Sequence, residues 1–171
     1  MRRSPLSRLS GLALLAVLGV GCSGDSPPPP PLCPRVGIIN GLEHMERPSS
    51  DAPGQPAFRA AMENMDGGCR GEGGDLVVEI AIDLVVQPGT VAAGEVVELP
   101  YFVVVSAPDG SLIDRQDYVA RVSVPRGARR VGVTETFRQR FLGREAGAAQ
   151  YEVLFGFALP EAEAMQQYRG G

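Results

Sequence analysis

Apolar and polar residues alternate along much of the second half of the chain. The clearest stretch is residues 75–89, DLVVEIAIDLVVQPG, where every second position from 78 to 86 is aliphatic and the positions between them include Glu79 and Asp83. A period of two is the pattern of a β-strand with one buried face. Residues 95–108 repeat this pattern. The predicted inward residues are Val78, Ile80, Ile82, Leu84 and Val86 in the first strand, and Val97, Leu99, Tyr101, Val103 and Val105 in the second.

Turn signals separate these strands from shorter elements. Asp109-Gly110 is a strong hairpin signal, and Pro100, which cannot donate to a strand ladder, predicts an edge or a bulge. Residues 56–65, PAFRAAMENM, predict a short helix, and residues 160–169 predict a terminal helix with Pro160 at its first position. The other predicted strands are residues 35–40, 111–116, 117–124, 130–137 and 150–159, and residues 68–75 and 144–150 are predicted loops.

About seven short strands with one or two short helices are typical of an antiparallel β-sandwich. We therefore predict an all-β, immunoglobulin-like β-sandwich of about seven strands with a short C-terminal helix, formed by residues 35–171. A small barrel is the alternative. The likeness to immunoglobulin domains is one of architecture, because the chain contains no tryptophan.

The first 21 residues have the features of an export signal rather than of a folded element. Arg2, Arg3 and Arg8 are the only charged residues among them, and an apolar run follows over residues 9–20. That run is shorter than a membrane span, which needs about 20 apolar residues, but it suits a secretory signal. Residues 22–34 contain a run of prolines and predict an extended tether ahead of the domain.

Cys22 stands at the junction of signal and tether, directly after residues 18–21, LGVG. This segment resembles the signal of bacterial lipoproteins, although Gly19 stands where leucine is usual. The resemblance implies that Cys22 becomes the first residue of the mature chain and carries the acyl chains that anchor it to a membrane. Ser23 implies the outer membrane, since aspartate at this place favours retention in the inner one. A plain signal peptide cut nearby, with Cys22 free or paired, is the alternative.

Three cysteines in an exported chain leave one without a partner. If Cys22 carries lipid, Cys33 and Cys69 remain, and an oxidising compartment favours a disulfide between them. A bridge between positions 36 apart contributes roughly 3–4 kcal/mol in the chain-entropy model. A metal site at this pair is the alternative, which one histidine and no CxxC motif disfavour.

Both ends of the domain carry short motifs. They are CPRVGIIN at residues 33–40 and GFALPEAEAMQQYR at residues 156–169. With the tether and the β-rich middle, these motifs resemble a group of short, uncharacterised proteobacterial lipoproteins that have a C-P-x-V start and a G-F-x-L ending followed by Y-x-R. The resemblance implies a periplasm-facing lipoprotein with a β-sandwich domain. It brings no active site, and Cys22 is the only functional residue that it carries over.

Composition narrows the chemistry. All 16 basic residues are arginine, so no lysine is available for a Schiff base or a phosphate-binding loop. His44 is the only histidine, so a site with two histidine ligands is excluded and a Ser-His-Asp triad would have to use this residue. Without residues 1–21, 13 basic and 20 acidic residues remain, and the resulting net charge of −7 argues against a nucleic-acid partner.

The charges are unevenly distributed along the chain. Residues 41–98 contain eleven acids and three arginines, whereas residues 115–144 contain eight arginines and two acids. Arg126, Arg129 and Arg130, in the sequence PRGARR, therefore predict contact with an envelope protein or another anionic partner. The alternative is that the acidic and basic strands face each other and neutralise one another.

We expect a lipid-anchored periplasmic module that has a structural or interaction role in the cell envelope, with no enzymatic activity, cofactor or catalytic residue. A soft-metal protein is the alternative function, because His44, Met62 and Met65 offer imidazole and thioether ligands that suit Cu(I). These methionines would otherwise fill the core. An envelope enzyme would need a carboxylate pair that the sequence does not indicate.

Overall fold

The computed structural model describes residues 33–143 and 147–170. Eight strands and one C-terminal helix make up most of the regular structure of these residues. A single turn of 3-10 helix, Ala148–Gln150, lies in the predicted loop over residues 144–150, of which residues 144–146 are outside the described ranges. The elements are β1 (Arg35–Ile38), β2 (His44–Pro48), β3 (Pro56–Glu72), β4 (Asp75–Pro88), β5 (Val96–Ser106), β6 (Leu112–Ser123), β7 (Val131–Phe141), β8 (Glu152–Phe157) and α1 (Glu161–Gly170).

The strands form two four-stranded sheets. Sheet A has the order β1-β8-β5-β6, and sheet B has the order β2-β3-β4-β7. Neighbouring strands are antiparallel except β1, which runs parallel to β8 over four residues. Because β6 and β7 belong to different sheets, the described strands do not close into a barrel. The predicted all-β sandwich with a short C-terminal helix is therefore confirmed.

The core lies between the inner faces of the two sheets. The five predicted inward residues of β4 are at most 1% exposed, and those of β5 are at most 5% exposed. In β8, Val153, Phe155 and Phe157 are fully buried. Phe137 of sheet B meets Phe155 of sheet A edge-on, with ring centroids 5.8 Å apart, so aromatic packing joins the sheets. The predicted faces of β4 and β5 are confirmed.

Two local predictions near the chain's turns are also confirmed. At the hairpin between β5 and β6, Gly110 has a φ of 80°, and the Asp109 carboxylate accepts hydrogen bonds from the backbone and the hydroxyl of Ser111. The terminal helix begins at Glu161. The carbonyl of Pro160 accepts the N–H of Glu163, so the proline directly precedes the helix instead of occupying its first position.

Residues 56–65 form no helix, contrary to the prediction, and lie within β3. Phe58, Ala60 and Met62 point inward and are buried, so every second residue of this segment faces the core. The alanine, methionine and glutamate residues of the segment favour a helix and make this period of two hard to recognise in the sequence. Pairing with β4 along most of its length outweighs this local propensity. The sequence has no clear signal for β2 either, because Met45 is the only deeply buried side chain among its five residues.

Three further predictions differ from the structure. Residues 68–72 continue β3, and Gly73 and Gly74, which both have positive φ, form the turn into β4. Residues 111–124 contain one strand, β6, instead of two. Pro100 lies in the interior strand β5, at a point where pairing with β8 has ended, so its missing N–H removes no hydrogen bond from that ladder.

Candidate functional site

The predicted lipidation site, Cys22, lies outside the described residues, as do the signal over residues 1–21 and most of the tether over residues 22–34. Within the described part of the chain, α1 is the one α-helix, and no helix there has the length and apolar character to cross a membrane.

Cys33 and Cys69 form a disulfide, as predicted, with their Cα atoms 5.6 Å apart. Cys33 lies two residues before β1 of sheet A, and Cys69 lies in β3 of sheet B, opposite Val78 of β4. The bridge therefore links the two sheets at the end of the sandwich where the described chain begins, at Cys33. Residues before Cys33 are therefore linked covalently to the long β3–β4 hairpin, in addition to their connection through the four residues of β1.

The structure does not bring His44, Met62 and Met65 together as a set of metal ligands. His44 pairs with Ala61, so its exposed side chain lies on the outer face of sheet B, whereas Met62, the next residue along β3, is 5% exposed and points into the core. Met65 lies within an irregularity of β3, between Glu63 and Asp66, and packs against the core. Among residues 33–143 and 147–170, no group of three His, Cys, Asp or Glu side chains could hold a metal ion.

A cleft of about 420 Å³ lies between α1 and the outer face of sheet A. Its walls are mostly apolar, and they include Arg47 and Arg115. Arg115 stacks over Phe102 at 4.1 Å and pairs with Asp117, while Arg47 pairs with Glu163. Because each guanidinium already has a carboxylate partner, the cleft has no excess charge that would select an anion. The sequence does not indicate this cleft, since its residues come from separate segments.

The basic strand β7 lies beside the acidic strand β4 in sheet B, so opposite charges meet on the outer face of that sheet. Arg140 lies 2.8 Å from Asp75 and 3.8 Å from Glu72. Arg138 lies 3.4 Å from Glu72 and 3.6 Å from Glu79. This arrangement is the alternative in which the acidic and basic segments neutralise each other.

These contacts stabilise the ionised form of the carboxylates. The backbone N–H of Gly143, 2.6 Å away, and then the Arg140 guanidinium lower the pKa of Asp75 below its ordinary value. Arg70 donates to both carboxylate oxygens of Glu79, at 2.8 and 3.2 Å, and lowers the pKa of that group. The outer face of sheet B is therefore a solvated surface on which most charges are matched.

Arg126 and Arg129 differ from the other arginines whose side chains the structure describes. Both are exposed, and neither has a carboxylate partner among the described residues. Arg130, in the same turn, pairs with Glu63 of β3. The nine described arginines that form ion pairs are Arg35, Arg47, Arg59, Arg70, Arg115, Arg121, Arg130, Arg138 and Arg140. Three neighbouring arginines that look equivalent in the sequence therefore differ in whether they form an ion pair with another described residue.

No protein-family model, curated protein or solved structure matches the chain. The case for a function therefore rests on the chain's own residues and on the geometry described above.

Proposed function

We propose that the chain is a lipoprotein anchored through acyl chains on Cys22 to the periplasmic side of a bacterial outer membrane. Its β-sandwich acts as a non-enzymatic structural or interaction module of the cell envelope. The observation that carries this proposal is the order of features at the N-terminus: a basic start, a short apolar run, Cys22 behind small residues, and a proline-rich tether. Several acyl chains on one cysteine would make the anchor firm.

The disulfide supports export and leaves Cys22 for the lipid. A bridge between Cys33 and Cys69 is favoured in the periplasm and disfavoured in the cytosol. With those two cysteines paired, Cys22 is the third and remaining cysteine of the chain.

The surface of the domain supports an interaction role rather than catalysis. The exposed imidazole of His44 makes no hydrogen bond to any described side chain, so nothing in that part of the chain orients it as a base. The described carboxylates with lowered pKa values, such as Asp75 and Glu79, are held by ion pairs and backbone hydrogen bonds on an open sheet face. These are the features of a solvated surface, not of an active-site pocket.

Intact-mass analysis of the full-length chain, expressed with its own signal in a Gram-negative host, tests the anchor. Wild-type protein extracted from membranes should have a mass that begins at Cys22, with acyl chains added and two hydrogens lost to the disulfide. Cys22→Ser should abolish the acyl mass, whereas the double variant Cys33→Ser/Cys69→Ser should keep it. A wild-type protein that is recovered in the soluble periplasmic fraction without acyl mass would contradict the proposal.

A further inference from the structure

We propose that Arg126, Arg129, Pro125 and Val96 form a docking surface, called here the tip surface, for an acidic segment of another protein. This inference rests on the proposed function, because it names the kind of partner that the interaction module would bind. Four features of these residues support it: the unpaired charges of the two arginines, the fixed backbone of their turn, the exposed apolar groups and the distance of the turn from Cys33.

The charges of the tip surface complement those of an acidic partner. Among the described residues, Arg126 and Arg129 are the arginines that no carboxylate of the domain neutralises, and they lie three positions apart in one turn. Each guanidinium presents five N–H donors in a planar fork that fits a carboxylate with two parallel hydrogen bonds. A partner with closely spaced glutamate or aspartate side chains would supply the acceptors that the described part of the domain does not.

Hydrogen bonds hold the backbone of this turn in place. Val124 forms two backbone hydrogen bonds with the connection between β4 and β5: Gly94 N–H donates to its carbonyl at 2.7 Å, and its own N–H donates to Glu95 at 2.9 Å. Ala128 N–H bonds back to the carbonyl of Pro125 at 3.2 Å, and Gly127 has a φ of 74°. A turn fixed in this way loses little backbone freedom when a partner binds.

Exposed apolar groups lie at the same end of the sandwich as the arginine turn, one at the start of β5 and one within the turn. Val96, at the start of β5, is 53% exposed. It lies opposite Ser123 in the pairing of β5 with β6, and Pro125, two residues after Ser123, is also exposed. Protein interfaces commonly combine such apolar contacts with arginine. The combination favours a protein partner over a simple anion, which would need only the charges.

The tip surface is far from Cys33, where the predicted tether would join the domain. Cys69, bound to Cys33, lies opposite Val78, whereas Val131, directly after the arginine turn, lies opposite Val86. Eight residues of strand separate these two levels, or about 27 Å. The tip surface therefore lies at the end of the sandwich away from Cys33.

Binding of a fluorescently labelled hexaglutamate peptide to the full-length protein in phosphatidylcholine nanodiscs tests this surface. Arg126→Gln/Arg129→Gln should weaken binding by about tenfold or more. The matched control, Arg35→Gln/Arg121→Gln, removes the same charge from two side chains that are 80% and 73% exposed, and should change the affinity less than about twofold. Val96→Glu, which places a negative charge on the tip surface, should also weaken binding.

Equal losses in the two double variants, or no saturable binding of hexaglutamate to the wild type, would overturn the proposal. Arginine-dependent binding to vesicles of phosphatidylglycerol and phosphatidylcholine that exceeds binding to the peptide would overturn it in favour of a lipid partner. Cys22→Ser protein should bind hexaglutamate as the wild type does. The intact mass therefore tests the lipid anchor, and peptide binding tests the tip surface, so either proposal can be contradicted without the other.

Discussion

Val77 is fully buried although it points away from the core of the sandwich. Its register partners are Arg70 of β3 and Arg140 of β7, and their aliphatic stems flank it while their charged ends reach Glu79 and Asp75. Long cationic side chains can cover apolar surface in this way and keep the charge in water. At this position, the ion pairs of sheet B therefore also shield an apolar side chain.

Protonation of Asp75 should reduce stability at low pH. The pKa of this carboxyl is lower in the folded state than its ordinary value of 3.8, so its contribution is present above that value and is lost as the pH falls through the folded pKa. Asp75→Asn removes the titrating group. Between about pH 5 and pH 2, the free energy of unfolding should fall less steeply for the variant than for the wild type.

Urea unfolding at a series of pH values would measure this difference. Asp66→Asn is the matched control, because Asp66 is an exposed carboxylate of the same sheet and has no ion pair or hydrogen bond among the described residues. The control should keep the wild-type slope. Identical pH profiles for the wild type and Asp75→Asn would mean that the Gly143 and Arg140 contacts do not stabilise the carboxylate in solution.

Among the strands, β1 is the one whose position depends most on a covalent bond. It pairs over four residues with β8 at the edge of sheet A, and Val36 within it is 36% exposed. β3, by contrast, is 17 residues long and is paired on both sides. The disulfide from Cys33 to Cys69 attaches the short strand to the long one.

Removal of the bridge should therefore lower stability and loosen β1 first. For Cys33→Ser/Cys69→Ser, we expect a loss of about 3–4 kcal/mol in the free energy of unfolding, since a loop between positions 36 apart is no longer closed in the unfolded state. Hydrogen exchange should increase more in β1 than in β4. Cys22→Ser serves as the control and should leave both measurements unchanged; a similar loss in that variant would contradict the assignment of the pair.

The free edges at β6 and β7 are long, and polar groups on their inner faces limit further strand pairing. Glu135 of β7 faces inward and accepts a hydrogen bond from the Tyr101 hydroxyl at 3.3 Å. Burial, and then the nearby Glu135 charge, raise the pKa of Tyr101, so the phenol remains protonated and able to donate. Inward-pointing charges of this kind are a common protection of sheet edges against pairing with another chain.

At the scale of the whole molecule, Cys33, where the predicted tether would join, and the proposed tip surface are at opposite ends of one sandwich. The predicted tether would join the domain beside the disulfide, and the strands carry the arginine turn about 27 Å further along the sheet. A proline-rich tether adds roughly 3.1 Å per residue if extended. In the proposed lipoprotein, this arrangement would present the tip surface to partners away from the anchoring membrane.

Substitution of Ser23 tests in which membrane the anchor lies. By resemblance to the sorting of bacterial lipoproteins, Ser23→Asp should move the protein from the outer-membrane to the inner-membrane fraction on a sucrose density gradient. The lipidated mass should be unchanged, because Cys22 and the residues before it are intact. Ser23→Ala provides the control and should remain in the outer membrane. Wild-type protein found in the inner-membrane fraction would contradict the proposed location.

The sequence predicts the fold correctly where the burial of a residue and the type of its element depend on residues close to it in the chain. Alternation in β4 and β5 identifies the buried faces, because side chains on a strand point to opposite sides in turn. The Asp109-Gly110 hairpin and the helix after Pro160 were predictable for the same local reason. The pairing of Cys33 with Cys69 was predicted on the expectation that the chain is exported and that Cys22 carries lipid, which leaves these two of the three cysteines.

Tertiary structure decided the features that depend on partners distant in the sequence. Residues 56–65 are part of a strand because pairing with β4 stabilises the strand more than the segment's own propensity stabilises a helix. Arg130 is neutralised by Glu63 only because the chain folds, whereas Arg126 and Arg129 of the same turn have no ion pair within residues 33–143 and 147–170. By itself the sequence determined β4 and β5 with their buried faces, the Asp109-Gly110 hairpin and the terminal helix, since those depend on local order. Charge pairing and the cleft beside α1 depend on register and sheet packing, which local patterns do not encode.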